Sequence, residues 1–282
     1  MLMDVLDLFL KTIALRPYVF LFLAAFLFAA IRLIGWPRTW RFWTITWITA
    51  FICEYSSTRT GIPFGWYFYN GSTVGQELYF ADVPFMDSLS FSFLLYAAYC
   101  LALCLVLPIE RSAPSRGFGL RPLRFDNSAR TGWPVFLLTA FLFAFIDMVI
   151  DPIALRGDRW FLGKIYFYPD PGFHFGVPFE NYVGWAVVGL LSLSLYFPLE
   201  RRLPTQAFPH SPTPSLLLGV GLYYGVLAFN LGVTFWIGEW FMGLSGLLMH
   251  LPVLAVLLYR IIDLQPAPSP SYSGGLRNEE FG

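Results

Sequence analysis

Charged residues are scarce in this sequence. Asp, Glu, Lys and Arg make up 13% of its 282 residues, while hydrophobic residues make up 57% and aromatic residues 20%. A soluble domain carries roughly a quarter charged residues, so the composition excludes a soluble globular protein. It indicates an all-α integral membrane protein instead. The formal net charge of +0 also offers no basic surface for nucleic acid.

Several residue types and motifs that mark known classes of protein are missing. The chain has two lysines, Lys11 and Lys164, and neither lies in an apolar run, which excludes a retinal Schiff base in a membrane helix. The three cysteines lack metal-site or disulfide spacing. There is no paired Asp-rich motif for magnesium diphosphate and no glycine-rich fingerprint for a nicotinamide or flavin. No signal peptide is expected at the N-terminus. We therefore expect neither a metal nor a cofactor.

Long apolar runs predict about seven transmembrane helices, each long enough to cross a bilayer. The predicted spans are residues 17–35, 40–57, 85–109, 133–151, 182–199, 215–237 and 243–262. Residues 1–262 are expected to form a single transmembrane domain with an interfacial segment at 1–16, and residues 263–282 a disordered cytoplasmic tail. Twelve of the eighteen Lys and Arg residues fall on one side of these spans, including the five arginines of a loop at 110–131. The positive-inside rule then predicts an N-out, C-in orientation.

Matching motifs indicate a parallel repeat of two helical hairpins, formed by spans two and three and by spans four and five. Val83-Pro84-Phe85 opens span three, and Val177-Pro178-Phe179 opens span five. The preceding span carries acid near its outer end in both cases: Glu54 in span two, and Asp147 with Asp151 in span four. Both hairpins run in the same direction, so the repeat is parallel rather than inverted.

Acidic residues inside the predicted spans are the main functional signal. Asp147 and Asp151 share one helix face, about 6 Å apart along the axis. Ionisable residues within a membrane are costly and usually functional. Glu54 and Asp87 fall at the same outer level, which predicts a shared polar pocket that opens toward the outer face. The alternatives are that Asp151 only marks a helix end at the interface and that Asp87 only complements a helix dipole.

Other polar and aromatic residues lie at this level and have structural alternatives. Asn181 is either part of the pocket or an N-cap. Glu239 lies in a short turn that suits a solvated side chain, and His250 suits a polar contact between helices. Asn230 falls in the same outer half. An interfacial aromatic belt would equally explain Trp66, Tyr67 and Tyr69.

Acids in an aromatic, apolar cavity favour one kind of chemistry. A carboxylic acid buried in such surroundings stays protonated at neutral pH and can protonate an alkene. Aromatic faces stabilise the carbocation, and water captures it, so that an isoprenoid double bond is hydrated without a cofactor. We expect Asp147 or Asp151 to donate the proton, with the deeper Asp147 the better candidate. Glu54 or Asp87 would position water as the base.

The motifs of the chain resemble those of the carotenoid-biosynthesis membrane protein family over about residues 40–260. The matching segments are Glu54-Tyr55, Thr60-Gly61-x-Pro63-Phe64-Gly65-x-Tyr67-x-Tyr69, Val83-Pro84, Asp151-Pro152, Trp160 and Gly176-Val177-Pro178-x-x-Asn181-x-x-Gly184-Trp185. This family includes the carotenoid 1,2-hydratases and bisanhydrobacterioruberin hydratase. The resemblance implies addition of water to the terminal double bond of an acyclic carotenoid.

The resemblance also implies where the substrate binds and what surrounds the protein. The expected substrate-binding residues are Tyr55, Trp66, Tyr69, Trp160, Asn181 and Trp185. The implied partners are a membrane-dissolved carotenoid, the lipid bilayer and other enzymes of the carotenoid pathway. The implied location is the inner membrane of a prokaryotic cell.

Two departures and two rival hypotheses accompany this interpretation. Leu162 stands where the family pattern has a second tryptophan, which affects end-group packing. The Pro-x-Glu pieces at Pro108 and Pro198 resemble membrane lycopene cyclases, but arginine replaces the second acid here. A lycopene-type cyclase would use the same protonation step, followed by ring closure. A non-enzymatic lipid or pigment transporter would place charge at mid-depth with access from both sides.

Overall fold

The computed structural model describes residues 2–111, 120–122, 126–204 and 213–262. Its helices are α1 (Leu2–Leu15), α2 (Pro17–Ile34), α3 (Trp36–Thr60), α4 (Phe85–Val106), α5 (Asn127–Arg130), α6 (Trp133–Ala154), α7 (Phe179–Arg202), α8 (Thr213–Trp236) and α9 (Trp240–Ile262). Its strands are β1 (Phe68–Tyr69), β2 (Tyr79–Phe80), β3 (Val83–Pro84), β4 (Ile109–Arg111), β5 (Leu120–Pro122) and β6 (Tyr166–Phe167). The predicted disordered tail, 263–282, lies outside the described residues.

The long helices confirm an all-α membrane protein. Among the described residues, six helices are long and apolar enough to cross a membrane: α2, α4, the α5–α6 segment, α7, α8 and α9. The remaining predicted span, residues 40–57, corresponds to α3, which has 25 residues. It is less apolar because threonines and arginines occupy part of its surface. The predicted spans therefore agree with the helices to within a few residues at each end.

Helix starts follow from proline and glycine positions. Pro17 lies in the first turn of α2, where a missing N–H costs no intrahelical hydrogen bond. Gly35, between α2 and α3, has a φ of +79°, a conformation that glycine adopts at little cost. This corner joins two helices that pack against each other.

Helix α4 forms the centre of the bundle. It packs against α2, α3, α6, α8 and α9, and every residue from Phe91 to Cys104 is buried. A helix that is apolar on all sides is expected in such an interior position. Helices α3, α4, α6 and α7 also pack on one another in a ring, through the pairs α3–α4, α4–α6, α6–α7 and α3–α7. The ends of these four helices therefore meet around one point.

A short antiparallel strand pair closes the ring at that end. Strand β1 pairs with β6, with Phe68 opposite Phe167 and Tyr69 opposite Tyr166. These strands belong to two identical tripeptides, Tyr-Phe-Tyr at 67–69 and at 166–168. Each tripeptide lies beside one hairpin, the first with α3–α4 and the second with α6–α7. The pairing agrees with the repeat that the sequence indicates.

The N-terminal segment is fastened over the same end of the bundle. Arg16 follows α1 and forms a buried ion pair with Glu77 (Nη2 to Oε1, 2.9 Å). It also donates to the carbonyl of Leu162. The Thr12 hydroxyl accepts a hydrogen bond from the backbone N–H of Leu78 (2.8 Å). The predicted interfacial segment is thus a helix tied to the two connections that carry β1 and β6.

A buried ion cluster lies at the opposite end of α7. Glu200 accepts hydrogen bonds from Arg38 (2.9 Å) and from Arg130 (2.6 Å), and the Asn127 amide donates to its backbone carbonyl (3.1 Å). Arg130 was expected in a loop, but it ends the short helix α5 and is 1% exposed. The 110–131 loop also contains the β4–β5 pair and α5. The acid of the Pro198-x-Glu200 piece is therefore engaged in an ion pair.

Candidate active site

Acidic side chains from three helices converge below the β1–β6 pair. Glu54 lies near the C-terminal end of α3, Asp87 in the first turn of α4, and Asp147 with Asp151 in the last turns of α6. Glu54, Asp147 and Asp151 are buried, and Asp87 is half-buried. The described part of the chain offers these four groups hydroxyl and amide donors but no ion pair.

Asn181, in the first turn of α7, holds the two aspartates of α6 together. Its Nδ2 donates to Asp147 Oδ2 and to Asp151 Oδ2, at 2.7 Å each. A carboxamide has two N–H groups, so it can serve both acceptors at once. The α7 N-terminus has no side-chain cap, so the N-cap alternative for Asn181 is wrong.

Asp151 accepts more hydrogen bonds than the other three acids. Besides the Asn181 amide, the hydroxyls of Tyr166 (2.9 Å) and Tyr168 (2.8 Å) donate to it. Three donors stabilise the carboxylate form. These contacts and its burial rule out a merely interfacial Asp151. Asp147 is 0% exposed, and its Oδ1 has no hydrogen-bond partner among the described residues.

Glu54 and Asp87 share a poorer set of donors. The Tyr69 hydroxyl lies 2.7 Å from Asp87 Oδ2 and 3.3 Å from Glu54 Oε1. The Ser88 hydroxyl donates to the other oxygen of Glu54. A phenol has one hydrogen, which the shorter contact to Asp87 takes. The longer contact is a hydrogen bond when Glu54 carries a proton and donates it to the Tyr69 oxygen. Glu54 and Asp87 are therefore better suited to hold a proton than Asp151 is.

The tyrosines of the two Tyr-Phe-Tyr tripeptides act as neutral donors. Burial raises the pKa of Tyr67 and Tyr69 well above the ordinary value of 10.0. It raises the pKa of Tyr166 and Tyr168 in the same way. A phenol with such a pKa keeps its proton at every physiological pH, so all four hydroxyls remain available to the acids and to a bound molecule.

Two cavities meet at this acid cluster. The first, of about 320 Å³, is lined by Glu54, Phe64, Tyr67, Tyr69, Asp87, Phe91, Asp151, Tyr166, Asn181 and Trp185. The second, of about 690 Å³, is mostly apolar, and its walls include Tyr18, Phe22, Phe93, Trp160, Leu162, Val226, Phe229 and Asn230. Both cavities share Asp87, Asp151, Tyr166 and Trp185. Asp87 and Asp151 therefore face a polar space on one side and an apolar space on the other.

Two of the three tryptophans expected to bind the substrate, Trp160 and Trp185, line the second cavity. Trp185 stacks on Phe91, with ring centroids 4.3 Å apart. The Trp160 indole N–H donates to the carbonyl of Ile153 (3.0 Å), which fixes the ring beside the second cavity. Leu162, at the position of the missing second tryptophan, lines the same cavity and leaves more room than an indole would.

Tyr55 and Trp66 correct the sequence-based expectation, because they lie outside both cavities. Tyr55 is 40% exposed, with the Arg59 guanidinium 3.6 Å from its ring centroid. Trp66 is 49% exposed and stacks on Phe68. Both residues point away from the acid cluster, as the interfacial-belt alternative for Trp66 predicts. Tyr67 and Tyr69 point into the first cavity instead.

Other residues were assigned no role from sequence or lie apart from the site. The sequence-based prediction missed Tyr166 and Tyr168, although the duplicated Tyr-Phe-Tyr tripeptide was a usable signal. Glu239 forms exposed ion pairs with Arg156 and Arg159. His250 Nδ1 lies 3.0 Å from the carbonyl of Gly246. The ion pairs lie apart from the acid cluster, as the alternative for Glu239 predicts, whereas the His250 contact lies within α9 and is not the contact between helices that was expected. No group of three or more His, Cys, Asp or Glu in the described ranges is arranged to hold a metal ion.

Comparison with known proteins identifies relatives of this chain. The sequence model of the family described as carotenoid biosynthesis protein matches residues 15–252. The chain is also similar to bisanhydrobacterioruberin hydratase from Haloarcula japonica, with 29% identity over 180 residues. That alignment covers 61% of this chain and 52% of the relative, about half its length. No solved structure matches the chain.

Proposed function

The chain belongs to the carotenoid biosynthesis protein family, and from this premise we propose that it is a carotenoid hydratase. It would add water across the terminal double bond of an acyclic carotenoid end group and form a tertiary alcohol. The similarity to a hydratase supports this reaction. The observation that carries the proposal is the position of Asp87 and Asp151, which border both a polar and an apolar cavity.

The two cavities suit the two reactants. The apolar cavity, with Tyr18, Trp160 and Phe229 in its wall, fits the branched hydrocarbon end of a carotenoid. The polar cavity, lined by hydroxyl, amide and carboxyl groups, fits water, which needs two to four polar partners. A terminal double bond at the junction would touch water on one side and remain in hydrocarbon on the other.

Hydrogen bonding supports a division of labour between the two junction acids. Asp87 shares the single hydroxyl donor of Tyr69 with Glu54 and is the less stabilised carboxylate of the two junction acids, so we assign it the role of proton donor. Asp151 accepts from Tyr166, Tyr168 and Asn181 and is the best stabilised carboxylate, so we assign it the role of base. This reverses the assignment that the sequence favoured. Asp147, which borders neither cavity, would position Asn181 and Asp151.

The proposed reaction has two steps. In the first, the O–H bond of Asp87 breaks and the alkene electron pair takes the proton, which leaves a tertiary carbocation and an Asp87 carboxylate. Trp185 and Tyr166 line both cavities, and their aromatic rings would stabilise the cation. In the second, water adds to the cation and loses a proton to Asp151. Transfer of that proton back to Asp87 resets the site, so no external oxidant, reductant or cofactor is required.

The membrane setting fits this substrate. A carotenoid dissolved in lipid would reach the apolar cavity laterally, without crossing water. With the predicted N-out orientation, the acid cluster lies toward the outer face of a prokaryotic inner membrane. Other enzymes of the carotenoid pathway would exchange substrate and product with it through the same bilayer.

The proposal is tested by expression in a host that accumulates lycopene or another acyclic carotenoid, followed by mass analysis of the pigments. We expect a product heavier by one water, and heavy-oxygen label from the solvent should appear in it. An isomer of unchanged mass would indicate a cyclase instead. Unchanged pigment with several acyclic substrates would overturn both enzymatic functions and leave a transporter to be tested by pigment flux.

A further inference from the structure

We infer that the cleft between α2 and α8 binds the polyene chain of the substrate and makes the enzyme selective for long acyclic carotenoids. The inference rests on the proposed function, because it concerns the part of the substrate that does not react. It assigns a role to a third cavity, of about 770 Å³, that lies outside the acid cluster.

The third cavity continues the second one along the same two helices. Its walls are apolar and include Phe22, Ala25 and Phe28 from α2 and Leu218, Gly221 and Gly225 from α8. Phe22 lines both the second and the third cavity. On α8, Val226 in the second cavity directly follows Gly225 in the third. The two cavities therefore adjoin at Phe22 on α2.

The combined cleft is long enough for about half of a linear acyclic carotenoid. On α2 the lining runs from Tyr18 to Phe28, about 15 Å at the rise of an α-helix. On α8 it runs from Phe229 to Leu218, about 16 Å. An acyclic carotenoid is comparable in length with the hydrocarbon core of a bilayer, roughly 30 Å. The second cavity alone is too short for such a molecule, so the polyene has to continue beyond it, along α2 and α8.

Glycines keep the cleft open. A Cβ atom added at Gly221 or Gly225 would meet no atom within 4 Å, so neither glycine is required for close packing inside the bundle. Glycine is unfavourable in a helix relative to alanine, and the space in front of these two glycines is the cleft itself. Leu21 and Phe28 at its rim are 68% and 53% exposed, so the cleft is open to lipid.

The test fills the cleft and varies the length of the substrate. The variants are Gly225→Leu and Gly221→Leu, and the matched control is Gly232→Leu. Gly232 lies on the same helix, also has nothing within 4 Å of an added Cβ, and does not line the cleft. Each purified protein in nanodiscs receives either lycopene or a short acyclic isoprenoid with the same end group. Hydrated product and the absorbance shift of bound polyene are both measured.

We expect Gly225→Leu to lower kcat/KM for lycopene about 10-fold or more, because the added side chain would occupy the open space in front of Gly225. Lycopene binding should weaken in parallel, the rate with the short isoprenoid should not change, and Gly232→Leu should behave as wild type.

The inference is overturned if Gly225→Leu loses activity equally with both substrates, or if it loses none. A lipid occupant would leave lycopene binding unchanged, and a second copy of the chain would show as an altered oligomeric state; either outcome also overturns it. If the wild type hydrates neither substrate, the proposed function fails, and lycopene binding by wild type and Gly225→Leu still decides the inference.

Discussion

Tyr69 and Tyr166 are direct partners in the antiparallel pairing of β1 and β6, and each hydroxyl donates to a different acid. Tyr69 donates to Asp87 (2.7 Å), and Tyr166 donates to Asp151 (2.9 Å). Two short strands from separate connections thus set the positions of the two carboxyl groups that border both cavities. The strand pair, rather than either helix alone, determines how far apart a proton donor and a base would stand.

Removal of these hydroxyls should affect the two acids unequally. In Tyr166→Phe, Asp151 keeps the donors Tyr168 and Asn181, so we expect a loss of about 10-fold in product formation. In Tyr69→Phe, both Asp87 and Glu54 lose a contact. A hydrogen bond to a charged group contributes about 1.5–3 kcal/mol, so we expect a loss of about 10- to 100-fold. Rates of hydrated carotenoid formation in membranes of equal protein content measure the difference.

Tyr79→Phe is the matched control for these variants. Its hydroxyl lies 2.7 Å from that of Thr73, outside both cavities, so activity should remain at the wild-type level. If Tyr69→Phe and Tyr79→Phe reduce activity equally, the phenols only support folding and do not tune the acids.

Substitution of single acids separates the proton donor from its neighbours. Asp87→Asn keeps the shape of the side chain but cannot donate an acidic proton. General acid catalysis contributes about 10²- to 10⁴-fold, so we expect a loss of that size. Asp147→Asn should reduce activity much less, because Asp147 borders neither cavity. Pigment analysis of the two variants measures both effects, with membrane content as the check on folding. Full loss in Asp147→Asn with activity retained in Asp87→Asn would restore the sequence-based assignment.

Helices and acids were predictable from the sequence because their signals are local. An apolar run of about twenty residues specifies a membrane helix almost alone, and acids within such runs stand out against it. Glu54, Asp87, Asp147 and Asp151 could therefore be grouped as one cluster from the sequence alone. Their hydrogen-bond donors were harder to find, because Tyr166 and Tyr168 become donors only when β6 pairs with β1.

The errors arose where a side-chain direction depends on distant contacts. In the irregular segment after α3, Trp66 and Tyr67 are neighbours, yet the first points outward and the second into the cavity. The pairing of residues nearly 100 positions apart decides this orientation. Arg130 was misplaced for the same reason, since its partner Glu200 is 70 residues away and no local pattern marks the pair.

The ion cluster around Glu200 should control stability and leave the product unchanged. Glu200→Gln removes the acceptor charge that Arg38 and Arg130 share in a buried site. Loss of one partner of a buried ion pair costs about 3–5 kcal/mol, so thermal unfolding in detergent should shift to a clearly lower temperature. Asp7→Asn breaks the exposed pair with Lys11. It should lower the free energy of unfolding by less than about 1 kcal/mol, so the unfolding temperature should hardly change. Equal shifts in the two variants would show that the cluster adds nothing beyond surface charge.

His174 should make the stability of the outer connection depend on pH. Its Nδ1 lies 2.5 Å from the Tyr182 hydroxyl, and burial lowers its pKa below the ordinary value of 6.5. The unfolded chain therefore takes up a proton at a higher pH than the folded protein does. This contribution to stability is complete above pH 6.5 and is lost as the pH falls through the folded-state pKa.

Thermal unfolding of wild type and of His174→Gln, followed from pH 8 to pH 5, isolates the contribution of His174, because the effects of the other titrating groups cancel in the difference. The wild type should lose more stability toward acid than the variant does. Parallel curves for the two proteins would mean that His174 titrates alike in the folded and unfolded states.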